Sequence, residues 1–306
     1  VKPRPSSKYK SLMHYFLIDG YNLCFRCFYA MPELTRADGF PTGALHAFVG
    51  SVIKLCSMDA PHASAVFFDK GGSARHRELY PEYKANRSAM PEAMRLQMPE
   101  IKRLCGLLNF VIIEREGVEA DDLLASAAVK LKEKAPLTTI VSADKDFAQL
   151  VGPRIRQLLP PPPKTQDWVC IDSLGVKTKF GVSAAEIPCY LALMGDSIDN
   201  IPGLDGVGPK TAAKWIKDFG DLETILRRHD WVKPEKFRTI IAENEEKLRR
   251  NLKLVTLDTA LEVPDFSDSP QTPQFDAVLA FLEEMGMKRG IAQFKKFAKE
   301  QYQKDI

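Results

Sequence analysis

The sequence predicts an α/β protein, a mainly parallel sheet flanked by helices, followed by a helical C-terminal part. Three observations carry this reading. Through the first 180 residues, short apolar runs alternate with stretches of helical spacing, the βαβ pattern of a parallel sheet. Past residue 180 the strand signals nearly vanish. Acidic residues stand just beyond the apolar runs, at Asp19 in FLIDG, Asp69 in VFFD, and Asp144 and Asp146 in IVSADKD.

Taken in order, residues 1–13 are basic and Pro-rich without an apolar core, so they read as a tail. Residues 14–18, 65–68, 110–113 and 138–142 are short runs rich in Val, Ile and Phe and read as buried strands. Residues 42–57 and 119–133 have helical spacing, the second through Leu124, Ala127, Ala128 and Leu131. Between the second and third strands, residues 73–104 are too long for a compact crossover. This segment is basic in its first half and interrupted by Pro81, Pro91 and Pro99, a helix-rich excursion over the sheet's carboxyl edge. The Pro160 to Pro163 run is stiff and extended, a loop leaving the sheet region. Ser183 with Glu186 forms a capping box for a helix ending near Met194, and helices follow at 210–219, 221–228 and 234–251. Residues 265–274 read as a linker before a last helical segment. The divisions expected are a body over 14–180, a helical subdomain over 181–264, and a linker with a C-terminal segment over 265–306.

Composition removes several classes of function. No run approaches the roughly 18 apolar residues of a membrane span, and the expected compartment is the cytoplasm. Six scattered cysteines suit reduced, buried thiols, and the lone C-x-x-C of Cys24 and Cys27 has neither a second pair nor a nearby His to make a zinc site. Net charge is only +3, but nine carboxylates cluster. Without them 43 basic side chains face 31 acidic ones, a balance of +12 that suits a polyanion partner.

The nine are Asp19, Asp69, Glu119, Asp121, Asp122, Asp144, Asp146, Asp196 and Asp199. In one parallel sheet the carboxyl ends of the strands converge on one crevice. Like charges packed there repel, and divalent cations relieve them; an all-oxygen set favours Mg²⁺ or Mn²⁺ over zinc. Above the rim, Arg75, Arg77, Lys84 and Arg87 could meet phosphates, with Tyr80 and Tyr83 available to stack on bases. In GLDGVGPKTAAKW, residues 203–215, Pro209 stands where a Walker loop needs its Lys. The stretch instead suits a Gly-rich hairpin between helices, whose Gly206, Gly208, Lys210 and Thr211 can hold a phosphate.

Several stretches together, LIDGYNLCFRCFYA, FFDKGGSARHRELYPEYKANR, EGVEADDLLA, VSADKDFAQL and MGDSIDNIPGLDGVGPKTA, resemble in order the 5′-nuclease domain of bacterial DNA polymerase I and the related flap endonucleases, from about residue 14 to 290. The resemblance implies a PIN- or resolvase-like sheet, a helical arch over about 73–104, and a helix-hairpin-helix subdomain. It further implies a first metal ion held by Asp69, Glu119 and Asp121, with Asp19 assisting through water. Asp121, Asp144, Asp146 and Asp199 hold a second, with Asp122 and Asp196 in outer positions. One ion generates hydroxide for in-line attack and the other stabilises the leaving oxygen. Lys84 and Arg87 on the arch and Arg26 at the base of the site neutralise the scissile phosphate, while the hairpin grips duplex backbone around a K⁺ ion. The implied partners are DNA carrying a 5′ flap, overhang or nick, and polymerase domains of a longer chain, with the protein otherwise a monomer. Two other classes fit fewer residues. A noncatalytic DNA-junction binder has no use for the acids, and a PIN-like ribonuclease or a phosphatase needs neither the hairpin nor the basic excursion.

Overall fold

The computed structural model describes residues 13–162, 167–268 and 271–306, so residues 1–12 of the N-terminal tail and Pro163 lie outside the described residues. Strand β1 (His14–Asp19) leads into α1 (Gly20–Ala30) and α2 (Gly43–Met58) before β2 (Ala63–Phe67). Next come α3 (Ala74–Leu79), α4 (Glu92–Leu107), β3 (Val111–Ile113), α5 (Ala120–Lys134), β4 (Leu137–Val141), β5 (Ile155–Leu159) and β6 (Val169–Ile171). The six strands form one sheet in the order β3-β2-β1-β4-β5-β6, parallel except for the antiparallel edge strand β6. From β1 the chain winds outward through β2 to β3, then returns to the other side of β1 with β4. The order therefore reverses between β1 and β4, and a crevice opens at the carboxyl ends of strands flanking such a switch.

Strand alternation divides the interior. Phe16 and Ile18 of β1 face a core shared with α1, α2 and α4, whereas Tyr15 and Leu17 face a second core against α5. Beyond the sheet, α6 (Ser173–Phe180) and α7 (Ile187–Met194) lead to a two-stranded ribbon, β7 (Gly195–Asp196) and β8 (Ile201–Pro202). The helices α8 (Pro209–Phe219), α9 (Leu222–Arg227), α10 (Phe237–Glu243) and α11 (Glu245–Val255) follow and enclose a third core around Trp215, Ile225 and Leu248. The expected capping box is present, with the Ser183 N–H donating to the Glu186 carboxylate at 2.7 Å.

Several elements differ from the sequence reading. Helix α1 is absent from it, although Asp19 caps the helix by accepting the Asn22 N–H at 3.1 Å. Also absent are β5 and β6, short strands of which the second is a largely exposed edge. Pro99 does not interrupt its helix. α4 runs through it because Met94, Met98, Ile101, Leu104 and Cys105 bury one continuous stripe, which offsets the roughly 3 kcal/mol cost of an internal proline. The 92–107 part of the supposed excursion is thus a packed crossover helix, and only residues 73–91 lie along the rim. The helix expected over 234–251 is two, α10 and α11, broken at Asn244, whose amide donates back to the Ile240 carbonyl at 2.7 Å. The 265–274 stretch is tied to the body by Phe266 in the second core and by Gln271, which Ser64 hydrogen-bonds. The closing helices α12 (Phe275–Glu284) and α13 (Lys288–Tyr302) return to pack on α2 and α4.

Candidate active site in the carboxylate crevice

At the switch between β1 and β4 lies a crevice of about 800 Å³ lined by Asp19, Asp69, Asp121, Asp144, Asp196 and Asp199 among others. Each acid is placed by a local device. Asp19 ends β1; one of its oxygens caps α1 and the other accepts the Ser142 hydroxyl at 2.8 Å. Burial pushes its carboxyl up to about 7, against the pull of those two hydrogen bonds. Asp69, just past β2, accepts the Ala120 N–H at 2.7 Å at the start of α5, where the helix dipole favours an anion. Its carboxyl is raised, chiefly by burial. Asp121, in the first turn of α5, is held well above the carboxylate range by burial and then by Asp19 and Asp144.

Asp144 and Asp146 sit on the turn after β4, where Asp144 accepts the Asp146 N–H at 3.0 Å. Gln157 on β5 fixes that turn by donating to the Ser142 carbonyl at 3.0 Å and the Asp144 carbonyl at 2.5 Å. Both carboxyls are raised by burial first and then by neighbouring acids, Asp146 the more strongly. Oδ1 of Asp146 is buried with no hydrogen-bond partner. Asp146 stands with Asp196 and Asp199, and the three carboxylates each bring an oxygen within 4.8 Å of the others. Such an orphaned buried oxygen costs about 1–3 kcal/mol, more for a charged group, unless something pairs with it. The donor set is oxygen throughout, so the residues fit a hard divalent cation.

Glu119, at the N-cap position of α5, accepts the Tyr83 hydroxyl at 3.0 Å and pairs with Lys84 Nζ at 2.7 Å. Lys84 also approaches Asp199 at 3.8 Å, and Arg87 pairs with Asp199 at 2.7 Å. Burial opposes the Lys84 charge, but Glu119, Asp199 and Asp121 outweigh it and raise the ammonium's pKa. Arg26 borders the crevice from α1 and donates to the Pro160 carbonyl at 3.4 Å.

Not every residue singled out from the sequence joins this site. Asp122 turns away, accepting the Asp258 N–H at 2.8 Å with Arg75 at 3.9 Å. Arg75 is drawn to that same pair, and Arg77 donates to the Gly71 carbonyl at 3.1 Å. Tyr83 is buried, stacked on His76 with ring centroids 4.7 Å apart and bonded to Glu119 and Asp199, so it offers no face to a base. Tyr80 is covered by the Arg250 guanidinium at 4.2 Å. The hairpin lies apart from the crevice. Gly206 has φ +75°, Gly208 precedes Pro209 at the start of α8, and Gly206 and Lys210 are exposed, with Thr211 partly so. Residues the sequence reading missed include Lys145, paired with Asp196 at 3.2 Å, and Ser142 and Gln157 behind the turn. Lys145 was legible in retrospect as the cation between two acids in ADKD.

Comparison with known proteins assigns this architecture. Residues 14–181 match the family model described as the 5′-3′ exonuclease N-terminal resolvase-like domain, and residues 182–277 match the 5′-3′ exonuclease C-terminal SAM fold. A 5′-3′ exonuclease of Aquifex aeolicus is 34% identical over 295 residues, covering 95% of this chain and 98% of that protein. The thermostable DNA polymerase I of Thermus filiformis is 36% identical over 271 residues, which cover 88% of this chain but only 32% of the polymerase. Among solved structures, the T5 D15 protein co-crystallised with metal ions superposes with a TM-score of 0.65 at 23% identity, over 93% of this chain and 99% of that one. The catalytic core of Rad2 in complex with DNA substrate superposes with a TM-score of 0.58 at 16% identity, over 94% and 91%. These two likenesses establish the fold. Two family models spanning nearly the whole chain and a near full-length relative establish more, and the chain belongs to the 5′-3′ exonuclease family.

Proposed function

We propose that this family member is a structure-specific 5′ nuclease that hydrolyses DNA phosphodiesters where a 5′ single strand leaves a duplex. It yields 5′-phosphate and 3′-hydroxyl ends and uses Mg²⁺ or Mn²⁺. One observation carries the reading: Asp146, with an unpartnered buried oxygen, groups with the crevice carboxylates Asp196 and Asp199, and two cations rest on the same acidic set, Lys84 on Glu119 and Asp199 and Arg87 on Asp199. A surface built only for solubility has no reason to bury such a set.

Asp146, Asp196 and Asp199, with Asp144 beside them, would hold one ion, and Asp19, Asp69, Glu119 and Asp121 another. Asp122 is left out of both because its carboxylate is engaged by Asp258. Bound ions supply Lewis acidity at the phosphoryl oxygens and a water of lowered pKa. The chain's own residues do the rest. Lys84 and Arg87 exchange their carboxylate partners for the entering phosphate, and so neutralise charge that grows on its oxygens. Tyr83 keeps Glu119 and Asp199 oriented through its hydroxyl. Arg26 and Lys145 extend the positive border, and Ser142 holds Asp19 on the crevice side.

The exposed hairpin at Gly206, Gly208, Lys210 and Thr211 would grip duplex phosphates through backbone N–H groups and one ammonium, with a K⁺ ion as a further bridge. Such contacts position a duplex without reading its sequence. In this division, residues 14–180 together with the Asp196–Asp199 loop carry the chemistry, the rest of 181–264 carries the duplex grip, and the segment after 265 braces the first core. The polymerase relatives, of which the matched segment is about a third or less, support a nuclease working beside polymerase domains. No described helix is long and apolar enough to cross a membrane.

The test is cleavage of an end-labelled duplex carrying a 5′ flap, with Mg²⁺ or EDTA, by wild type and by Asp146→Ala. Incision near the flap base that requires metal and is abolished in the variant is expected. Binding without incision in the wild type would move the chain to the junction-binding class, and cleavage of an RNA equivalent in preference to DNA would move it to the ribonuclease class.

A further inference from the structure

The loop carrying Lys84 and Arg87 and the loop carrying Asp196 and Asp199 are joined by hydrogen bonds that neither the charges nor the metal requires. Asn86 Nδ2 donates to the Ser197 carbonyl at 2.8 Å, and Asn200 Nδ2 donates in the opposite direction to the Glu82 carbonyl at 2.7 Å. Between these two crossed amides the Lys84 N–H donates to the Asp199 carbonyl at 3.0 Å. Lys84 and Asn200 both have φ +57°, a left-handed conformation uncommon away from glycine. Two such residues on facing loops, Asn200 itself carrying one crossed amide and Lys84 two residues before the other, mark a junction held in shape by its surroundings.

We infer that Asn86 and Asn200 form a latch that positions the cationic loop over the carboxylates, so that Lys84 and Arg87 meet the phosphate in register with the ions. Neither amide touches the reacting atoms; both are positioning residues. Their hydrogen bonds are solvent-exposed, so each adds little to global stability, whereas a displacement of about 1 Å at a reacting centre costs up to about 100-fold in rate. The latch also gives Asn86 a role that ion pairing cannot fill. Salt bridges hold a charge near its partner without fixing direction, and the phosphate breaks them when it enters. The amide-to-carbonyl bonds persist while Lys84 and Arg87 change partners.

This inference rests on the nuclease reading, and its test separates the two. Single-turnover cleavage of the 5′-flap duplex at saturating Mg²⁺ is compared among wild type, Asn86→Ala, Asn86→Gln, Asn200→Gly, Lys84→Ala and the double variant Asn86→Ala/Lys84→Ala. Duplex affinity is measured in Ca²⁺, and thermal midpoints are recorded for each. A wild type without metal-dependent incision removes the nuclease reading itself. With an active wild type, Asn86→Ala and Asn200→Gly are expected to lose about 10- to 100-fold in single-turnover rate with unchanged affinity and midpoint. Asn86→Gln recovers part of the loss, and Asn86→Ala costs a smaller factor in the Lys84→Ala background than in wild type, because part of what Asn86 positions is Lys84 and the remainder is Arg87. Wild-type rates in both Asn variants overturn the latch. So does a loss of the same factor with or without Lys84, or a loss that follows affinity or thermal midpoint.

Discussion

Single residues here are governed by desolvation more than by direct pairing. Five carboxyls in or beside the crevice, those of Asp19, Asp69, Asp121, Asp144 and Asp146, are raised first by burial and then by neighbouring acids, which makes the set a sink for protons or for cations. Elsewhere the same cause acts on a base. His14, buried at the start of β1 and hydrogen-bonded to Thr139 at 2.7 Å, has its pKa lowered to about 4 by burial. Below pH 6.5 the unfolded chain takes up this proton before the folded one does. The contribution of His14 to stability is therefore present above pH 6.5 and lost as pH falls toward 4. Urea unfolding of wild type and His14→Gln from pH 7 to pH 5 should show the gap between their midpoints shift in the variant's favour with acid. A gap independent of pH would mean that His14 titrates normally in the fold.

At the scale of elements, the ribbon β7–β8 deserves its glycines. Gly195 has φ +75°, and a Cβ there would collide with the backbone of Gly203 and Ile201, while a Cβ on Gly203 would meet the Met194 carbonyl. Asn251, fully buried on α11, donates to the Ala192 and Pro202 carbonyls at 3.2 and 2.8 Å and ties both ends of the ribbon to one helix. The loop holding Asp196 and Asp199 thus hangs from a rigid base shared with the hairpin that follows it. Gly195→Ala is expected to lower stability by more than about 1 kcal/mol and to abolish cleavage, since both steric relief and the left-handed backbone are lost. Gly206→Ala, where the nearest atom to a Cβ is Phe237 Cε1 at 3.6 Å, should retain more stability and lose duplex affinity instead. Unfolding curves and binding isotherms of the two variants distinguish these outcomes, and identical behaviour would refute the division of labour.

Across the whole molecule, the crevice is stabilised by neutralisation, and on the proposed function protons and metal compete for it. An acid whose pKa is raised on folding binds more protons folded than unfolded, so the metal-free protein loses stability as pH rises from about 4 through 7 on account of these groups. Metal binding supplies the missing charge and releases protons. Mg²⁺ should therefore raise the thermal midpoint at pH 7.5 more than at pH 5.5, with Asp146→Ala blunting the rise. An equal rise at both pH values would place the metal outside the buried set.

The sequence by itself determined the α/β class and the gathering of acids at the strand ends. A strand carries its own apolar signature, and a parallel sheet sends every strand's carboxyl end the same way. It also determined the capping box at Ser183 and the hairpin, because both are written in residues within a few positions of one another. The tertiary structure alone decided that Asp122 faces Asp258, that Tyr83 is buried between two carboxylates, and that α4 crosses Pro99 without a break. It alone brought Asn86 to Ser197 and Asn200 to Glu82. Those outcomes turn on partners 36 to 136 residues away, or on packing strong enough to override a local preference, and neither is recorded in the spacing of residues along one segment of chain.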